Sequence, residues 1–284
     1  VHVPQTVLIT GATDGLGRSL AHRLATGPDD TATRLILHGR DPGRLASTAD
    51  AIAATGAPRP RTVLADLADL SQVRMMAAEV SASTERLDVL VNNAGIGSGE
   101  PDGRTRRTSA DGHELRFAVN HLAGFLLTLE LLPLLTTSAP ARVVNVASIG
   151  QAPVDPDDPM LERGYNGTRA YGQSKLAQIA TGFELAARLP ADRITVNSLH
   201  PATYMPTKMV LAEIGHSVDT LADGTDATHR LVTDPRLAGV TGRFYDRTRE
   251  TRAHPQAYDP VARHRLWDLS VALTGATAPP PHAG

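Results

Sequence analysis

Thr10-Gly11-Ala12-Thr13-Asp14-Gly15-Leu16-Gly17 follows the apolar run Val7-Leu8-Ile9 and precedes a stretch with helical periodicity. Strand, glycine turn, helix is the order that builds a cradle for a pyrophosphate. Glycines let the backbone turn sharply and approach a ligand, and the free N–H groups of a new helix point at an anion placed there. The spacing is T-G-x-x-x-G-x-G rather than the common G-x-G-x-x-G. A glycine pattern alone also fits an ordinary turn, so the rest of the chain has to decide.

Along the rest of the chain, short apolar runs alternate with longer helical ones. Strand-like runs fall at 6–10, 34–37, 62–64, 89–91, 143–146 and 194–199, with a seventh near 239–245. Helical patterns fall at 16–26, 41–54, 70–83, 111–135 and 170–189; in the last, Leu176, Ile179, Ala180 and Phe183 recur at helical spacing. This alternation predicts an α/β fold, a doubly wound parallel sheet of Rossmann type with about seven strands and helices on both faces. It predicts one domain over residues 1–277 and a disordered tail, 278–284, that carries Pro279-Pro280-Pro281. Three stretches fit neither pattern: 97–108, 151–169 and 202–224. All follow strand ends, the edge where open α/β sheets bind ligands, so they are expected to wall a substrate. Candidate wall residues are Ile149, Val154, Met160, Met205, Met209, Val210 and Leu211, with polar Gln151, Tyr165, Tyr204 and His216.

Composition bounds the function. The 284 residues carry a net charge of −2 and no long basic run, so no nucleic-acid or anionic-membrane partner is expected. Cysteine is absent, which excludes disulfides and thiol chemistry and fits a reducing compartment. No run approaches the roughly 20 apolar residues of a membrane helix, and no leader pattern is read before the first strand. A cytoplasmic protein is expected. The 11 histidines are scattered without metal-ligand spacing, and Asp155, Asp157 and Asp158 read as a solvated loop.

Tyr171-Gly172-Gln173-Ser174-Lys175 places Tyr and Lys four apart, on one face of a helix. A free tyrosine, with a pKa of about 10, is a poor base at neutral pH. A neighbouring ammonium stabilises its phenolate, and the pair becomes a usable acid/base. Ser148 ends the run Arg142-Val143-Val144-Asn145-Val146-Ala147, and Asn92-Asn93-Ala94-Gly95 ends another strand. Asn120, in Phe117-Ala118-Val119-Asn120-His121, lies in a long apolar helix, where an amide is costly unless hydrogen-bonded.

Taken in order, TGxxxGxG, NNAG, the Asn of FAVNH, the strand-end Ser and YxxxK resemble the short-chain dehydrogenase/reductase family, over roughly residues 7–275. The stretches RFAVNHL and AYGQSKLA and the ending RLWDLS look most like its retinol dehydrogenase and protochlorophyllide reductase branch. The resemblance implies that Tyr171 exchanges a proton with a carbonyl or alcohol oxygen. It implies that Lys175 lowers the Tyr171 pKa and holds the nicotinamide ribose, that Ser148 hydrogen-bonds the reacting oxygen, and that Asn120 bends its helix and holds a relay water. Gly11, Thr13, Asp14, Gly15, Leu16 and Gly17 would surround the pyrophosphate. Asp66 and Leu67 would meet the adenine, Asn93, Ala94 and Gly95 the adenosine side, and Pro201 and Thr203 the nicotinamide carboxamide.

The second strand ends Leu37-His38-Gly39-Arg40-Asp41. An NAD site usually has a carboxylate there for the ribose 2′-hydroxyl. Gly39 leaves room and Arg40 offers a planar cation for a 2′-phosphate, so NADP is the expected cofactor, with His38 as an auxiliary. Asp41, one residue on, reads as a helix cap. Two departures from the family stand out. Ala147-Ser148 replaces Ser-Ser, and His200-Pro201-Ala202-Thr203 replaces Pro-Gly, with Thr207 one place late. The leading expectation is an NADP-dependent carbonyl reductase or alcohol dehydrogenase acting on a medium-sized, partly hydrophobic small molecule, in secondary metabolism. The alternative is a non-redox dehydration, isomerisation or cyclisation on the same Tyr171/Ser148 pair. A nucleotide sensor has no need of a proton relay. The resemblance also implies a homo-oligomer, dimer or tetramer, joined through the Asn120 and Tyr171 helices, although the related branch includes monomers.

Overall fold

Alternation of side chains along each strand sets the architecture. In β1 (Thr6–Ile9), Leu8 joins one hydrophobic cluster while Val7 and Ile9 join a second. β2 (Arg34–Gly39), β4 (Val89–Asn92) and β5 (Ala141–Val146) divide their apolar residues in the same way. Each strand is therefore buried on both faces, as a parallel sheet requires. The structure is a computed structural model describing residues 4–27, 33–99, 103–207, 210–211 and 215–280.

β3 (Arg61–Leu64), β6 (Ile194–His200), β7 (Phe244–Asp246) and β8 (Arg249–Thr251) complete the sheet. Its order is β3-β2-β1-β4-β5-β6-β7-β8, with the first seven parallel and β8 antiparallel to β7. The expected seven strands thus become eight. The extra one is three residues long, Arg-Glu-Thr, and exposes its polar side chains, so it carries no apolar signature. The seventh begins at Phe244, later than expected.

The first helices are α1 (Gly15–Ala25), α2 (Pro42–Ala53) and α3 (Leu70–Ser83), capped by the side chains of Asp14, Asp41 and Asp69. The single helix expected at 111–135 is instead α4 (Leu115–Phe117), a π turn (Ala118–Leu122), α5 (Ala123–Glu130) and α6 (Leu132–Thr137). α7 (Gly167–Arg188) follows, capped by Asn166. Two further helices were not anticipated: α8 (Leu221–Thr233), with a Thr220/Asp223 capping box, and α9 (Pro260–Thr274), capped by Asp259.

α9 lies on α7 and the π turn. Its Trp267 meets Phe125 edge-on at 5.0 Å and lies under the Arg188 guanidinium at 4.5 Å. His121 Nε2 is 2.8 Å from Ser270 Oγ; that hydroxyl donates to Leu266 O, so the imidazole is the donor. Burial pushes the His121 pKa down to about 3, and the ring stays neutral. Beyond α9 the expected tail begins in contact with the body: Arg188 Nη1 donates to Pro279 O. Residues 281–284 lie outside the described residues. No helix among the described residues is long and apolar enough to cross a membrane.

Candidate active site

The strand order reverses between β1 and β4, and the predicted site residues follow the carboxyl ends of the strands around that point or face them from α5's approach and α7. Gly11 holds a φ of 66°, and a Cβ on it would lie 2.9 Å from Ala94 Cα. Gly17 admits no side chain: a Cβ would lie 2.3 Å from Gly11 O and 2.5 Å from Asn93 Nδ2. Asn93 braces the turn, its Nδ2 donating to Thr10 O and Gly11 O, while its own N–H and that of Ala94 donate to Thr10 Oγ1. Thr13 lies against Gly39, where a Cβ would come within 2.5 Å of Thr13 Cγ2. A cradle that tight, opening onto the first turn of α1 with Leu16 buried behind it, fits a pyrophosphate.

His38 is not an auxiliary to Arg40. It is buried beneath the turn, with Gly11 N–H donating to Nδ1 and Nε2 lying 3.1 Å from Ala65 O. Since Nδ1 accepts, Nε2 carries the proton, and burial holds the pKa low. The ring is a neutral strut between β1, β2 and the β3 end. Arg40 is exposed, with no side-chain partner recorded among the described residues. Asp41 caps α2 by accepting from Arg44 N. Asp66 Oδ1 accepts from Ala68 N in the turn after β3, and Leu67 is buried beside it.

Asn120 sits inside the π turn, a one-residue shift of helical register. Its amide is fully engaged: Oδ1 accepts from Ile96 N, and Nδ2 donates to Ile96 O and Ser174 Oγ. The side chain thus pins the segment after β4 to α7. Gly95 lies between Asn120 and Lys175; a Cβ there would stand 3.1 Å from Asn120 Oδ1 and 3.4 Å from Lys175 Nζ.

Lys175 is buried, its Nζ donating to Val146 O at 2.9 Å. Burial lowers its pKa to about 8. Tyr171, one turn earlier and half-buried, has its ring centroid 5.9 Å from that ammonium. Ser148 is buried just beyond β5, its Oγ accepting from Gly150 N. Gly172 lets the 150–152 segment pack on α7: a Cβ would lie 2.9 Å from Ala152 Cβ and 3.0 Å from Gly150 O. That packing brings the Ser148 loop against the Tyr171 turn.

After β6, Pro201 is buried and Thr203 is clamped. Its N–H donates to Asp219 Oδ2, its Oγ1 lies 3.1 Å from His200 Nε2, and Asp219 also pairs with Arg247. Ala202 replaces the family glycine without strain, because the left-handed turn falls on Tyr204 instead, at a φ of 45°. Thr207 reaches the glycine turn: a Cβ on Gly15 would lie 3.0 Å from Thr207 Cγ2.

The expected wall divides. Ile149, Tyr204 and Leu211 are exposed at 55%, 46% and 47%, with Val218 at 61%, so the segments after β5 and β6 carry uncovered apolar side chains. Val154 and Met205 are core, and Met160 packs against it. Tyr165 is no wall residue: its hydroxyl accepts from Arg116 and donates to Glu114, and burial pushes its pKa up to about 12. Gln151 ties Ser148 O to His254 N. Val210 is half-buried and His216 exposed; Met209 lies outside the described residues. Asp155, Asp157 and Asp158 each pair with an arginine: Arg169, Arg265 and Arg163.

A glycine turn shaped for a pyrophosphate and a tyrosine–lysine pair meet at one sheet edge, the arrangement expected of a dinucleotide-dependent oxidoreductase. Residues 5–214 match the short chain dehydrogenase family, and the chain belongs to it. It is 35% identical to human retinol dehydrogenase 14, over 95% of this chain and 86% of that protein. It is 36% identical to a Streptomyces protein named "Putative daunorubicin C-13 ketoreductase DnrU", over 96% of this chain and 94% of the relative. Among solved structures, one Mycobacterium paratuberculosis protein superposes with a TM-score of 0.76 at 28% identity, covering 98% of this chain and 96% of that one. The Pseudomonas aeruginosa RhlG/NADP complex gives 0.67 at 25% identity, covering 86% and 94%.

Proposed function

We propose that the protein is an NADP-dependent oxidoreductase moving a hydride between the nicotinamide and a carbonyl or secondary alcohol of a medium-sized, partly hydrophobic metabolite. The observation that carries this is the buried Lys175 ammonium held behind Tyr171 at the same sheet edge as the glycine cradle. Gly11, Thr13, Asp14, Gly15, Leu16 and Gly17 would hold the pyrophosphate, Arg40 the 2′-phosphate, and Asp66 and Leu67 the adenine. Asn93, Ala94 and Gly95 would line the adenosine, Pro201 and Thr203 the carboxamide, and Tyr171 and Lys175 the ribose. The uncovered Ile149, Tyr204, Leu211 and Val218 suit an apolar substrate. So do relatives named for retinol and for a daunorubicin ketone. The absence of cysteine fits a cytoplasmic setting.

A nicotinamide held by these residues would supply the hydride in reduction and accept it in oxidation. In reduction, Ser148 Oγ donates a hydrogen bond to the carbonyl oxygen. The Tyr171 hydroxyl gives that oxygen its proton, and Lys175 stabilises the phenolate that remains. Asn120 keeps the segment after β4 and α7 in register, so the proton path behind Lys175 stays assembled. In the oxidative direction the phenolate takes the proton back. A screen of polycyclic and conjugated carbonyl compounds, followed by NADPH absorbance, tests the activity: consumption with at least one class is expected, and none across the panel contradicts it.

NADPH is expected to bind more tightly than NADH, and Arg40→Ala to remove that difference. Calorimetry checks it; equal affinities in the wild type contradict the assignment. A second expectation concerns pH. The Lys175 ammonium is present below its pKa of about 8 and lost above it. NADPH affinity is therefore expected to fall as pH rises through about 8, and to stay flat across that range in Lys175→Met. A wild-type profile as flat as the variant's contradicts the role. The resemblance implied a dimer or tetramer through the Asn120 and Tyr171 helices, but α9 covers part of α7, which supports a monomer instead. Sedimentation at micromolar concentration is expected to give a monomer, and a stable dimer blocked by substitutions on α7 would contradict it.

A further inference from the structure

The end of β2 lies directly under the glycine turn, because Gly39 and Thr13 meet with no room for a Cβ. That contact brings together two residues 30 apart in sequence. Arg44 Nη2 donates to Asp14 Oδ2 at 2.7 Å. The other oxygen of the same carboxylate, Oδ1, accepts from Gly15 N at 2.8 Å. Arg44 is itself fixed at the start of α2, where its backbone N–H donates to Asp41 Oδ1. Two cations therefore stand near the expected 2′-phosphate in different states. Arg40 is exposed with no partner recorded among the described residues, whereas Arg44 is already neutralised.

We propose that Asp14 is a specificity-determining residue: its carboxylate acts as an internal anion that occupies Arg44, and a 2′-phosphate has to displace it. The inference rests on the NADP reading above. The donors that Asp14 satisfies, a guanidinium and the first amide of α1, are the donors a phosphate seeks. Both side chains are about half exposed, 47% for Arg44 and 50% for Asp14, so the pair is screened and weak enough to exchange. The carboxylate also repels a 2′-phosphate placed beside it and can accept the 2′-hydroxyl of NAD. Asp14 thus narrows the gap between NADP and NAD that Arg40 and Arg44 would otherwise set.

The test is calorimetry with NADPH and NADH on Asp14→Ser, which removes the charge but keeps a helix-capping hydroxyl. NADPH is expected to bind about fivefold more tightly, the scale of one released surface ion pair, with NADH changed by less than about twofold. Arg44→Ala in the Asp14→Ser background is expected to abolish the gain, which ties the effect to that pair. Asp14→Asn, nearly isosteric, is expected to repeat it, and thermal melting of each variant confirms an intact fold. Equal tightening of both cofactors, or no tightening of NADPH, overturns the proposal. If Arg40→Ala still costs NADPH selectively in that event, the NADP reading survives. If wild type, Arg40→Ala and Asp14→Ser all bind the two cofactors alike, both fall.

Discussion

Tyr171→Phe is expected to lose at least about a hundredfold in turnover, the lower range for removal of an acid–base group, while NADPH affinity changes little because Lys175 still holds the ribose that the two residues share. The substitution keeps the ring, and with it the half-buried packing at the start of α7. Only the hydroxyl that gives the proton is gone. Ser148→Ala is expected to lower turnover as well, because the reacting oxygen loses a hydrogen bond, with little change in NADPH binding. Lys175→Ala differs in kind. Its ammonium is assigned both the phenolate and the ribose, so turnover and NADPH affinity should fall together. A Tyr171→Phe enzyme with near-normal turnover contradicts the mechanism.

Trp267→Ala is expected to destabilise the fold by about 3–5 kcal/mol, the range for truncating a buried aromatic. Trp267 is 1% exposed and is the largest of the fully buried side chains. Its removal leaves a void between Phe125 and Arg188, the residues through which α9 is fastened to α5 and α7. Urea unfolding measures the loss. Val261→Ala, on the same helix but 76% exposed, should change stability by less than about 0.5 kcal/mol. Equal effects from the two would mean that α9 is not fastened through Trp267.

β1, β2, β4, β5 and β6 were legible because each carries a short apolar run buried on both faces; β3, which fully buries only Val63, was legible by its place in the alternation. Tyr171, Lys175, Ser148 and the glycine turn were legible because their chemistry is carried by local spacing. α8 was not: its buried face is made of Gly224, Thr225, Ala227 and Thr228 before Leu231 and Val232, so its amphipathic period is carried by small and polar groups rather than by an apolar run. Its capping box, Thr220 to Asp223, was the available signal. α9 likewise buries only Leu266, Trp267, Ser270 and Thr274, yet Asp259-Pro260 and Gly275 mark its ends by ordinary start and stop chemistry. The long helix expected through Asn120 broke because apolar content does not reveal a π turn. His38 as a strut, Asp14 with Arg44, and Asp219 with Arg247 are pairings that only the strand order creates. The positions of Asp14 and His38 were readable from the sequence; their partners were not.

Hydride transfer to a carbonyl carbon, with Tyr171 supplying the proton, leaves an isotopic signature in the product. NADPH carrying deuterium at both C4 positions of its nicotinamide, turned over with a carbonyl substrate found in the screen, tests it by mass spectrometry of the product. The account predicts one deuterium on the new carbinol carbon for each NADPH oxidised, and loss of that product in Tyr171→Phe. A product that forms without deuterium, or without oxidation of NADPH, would contradict it.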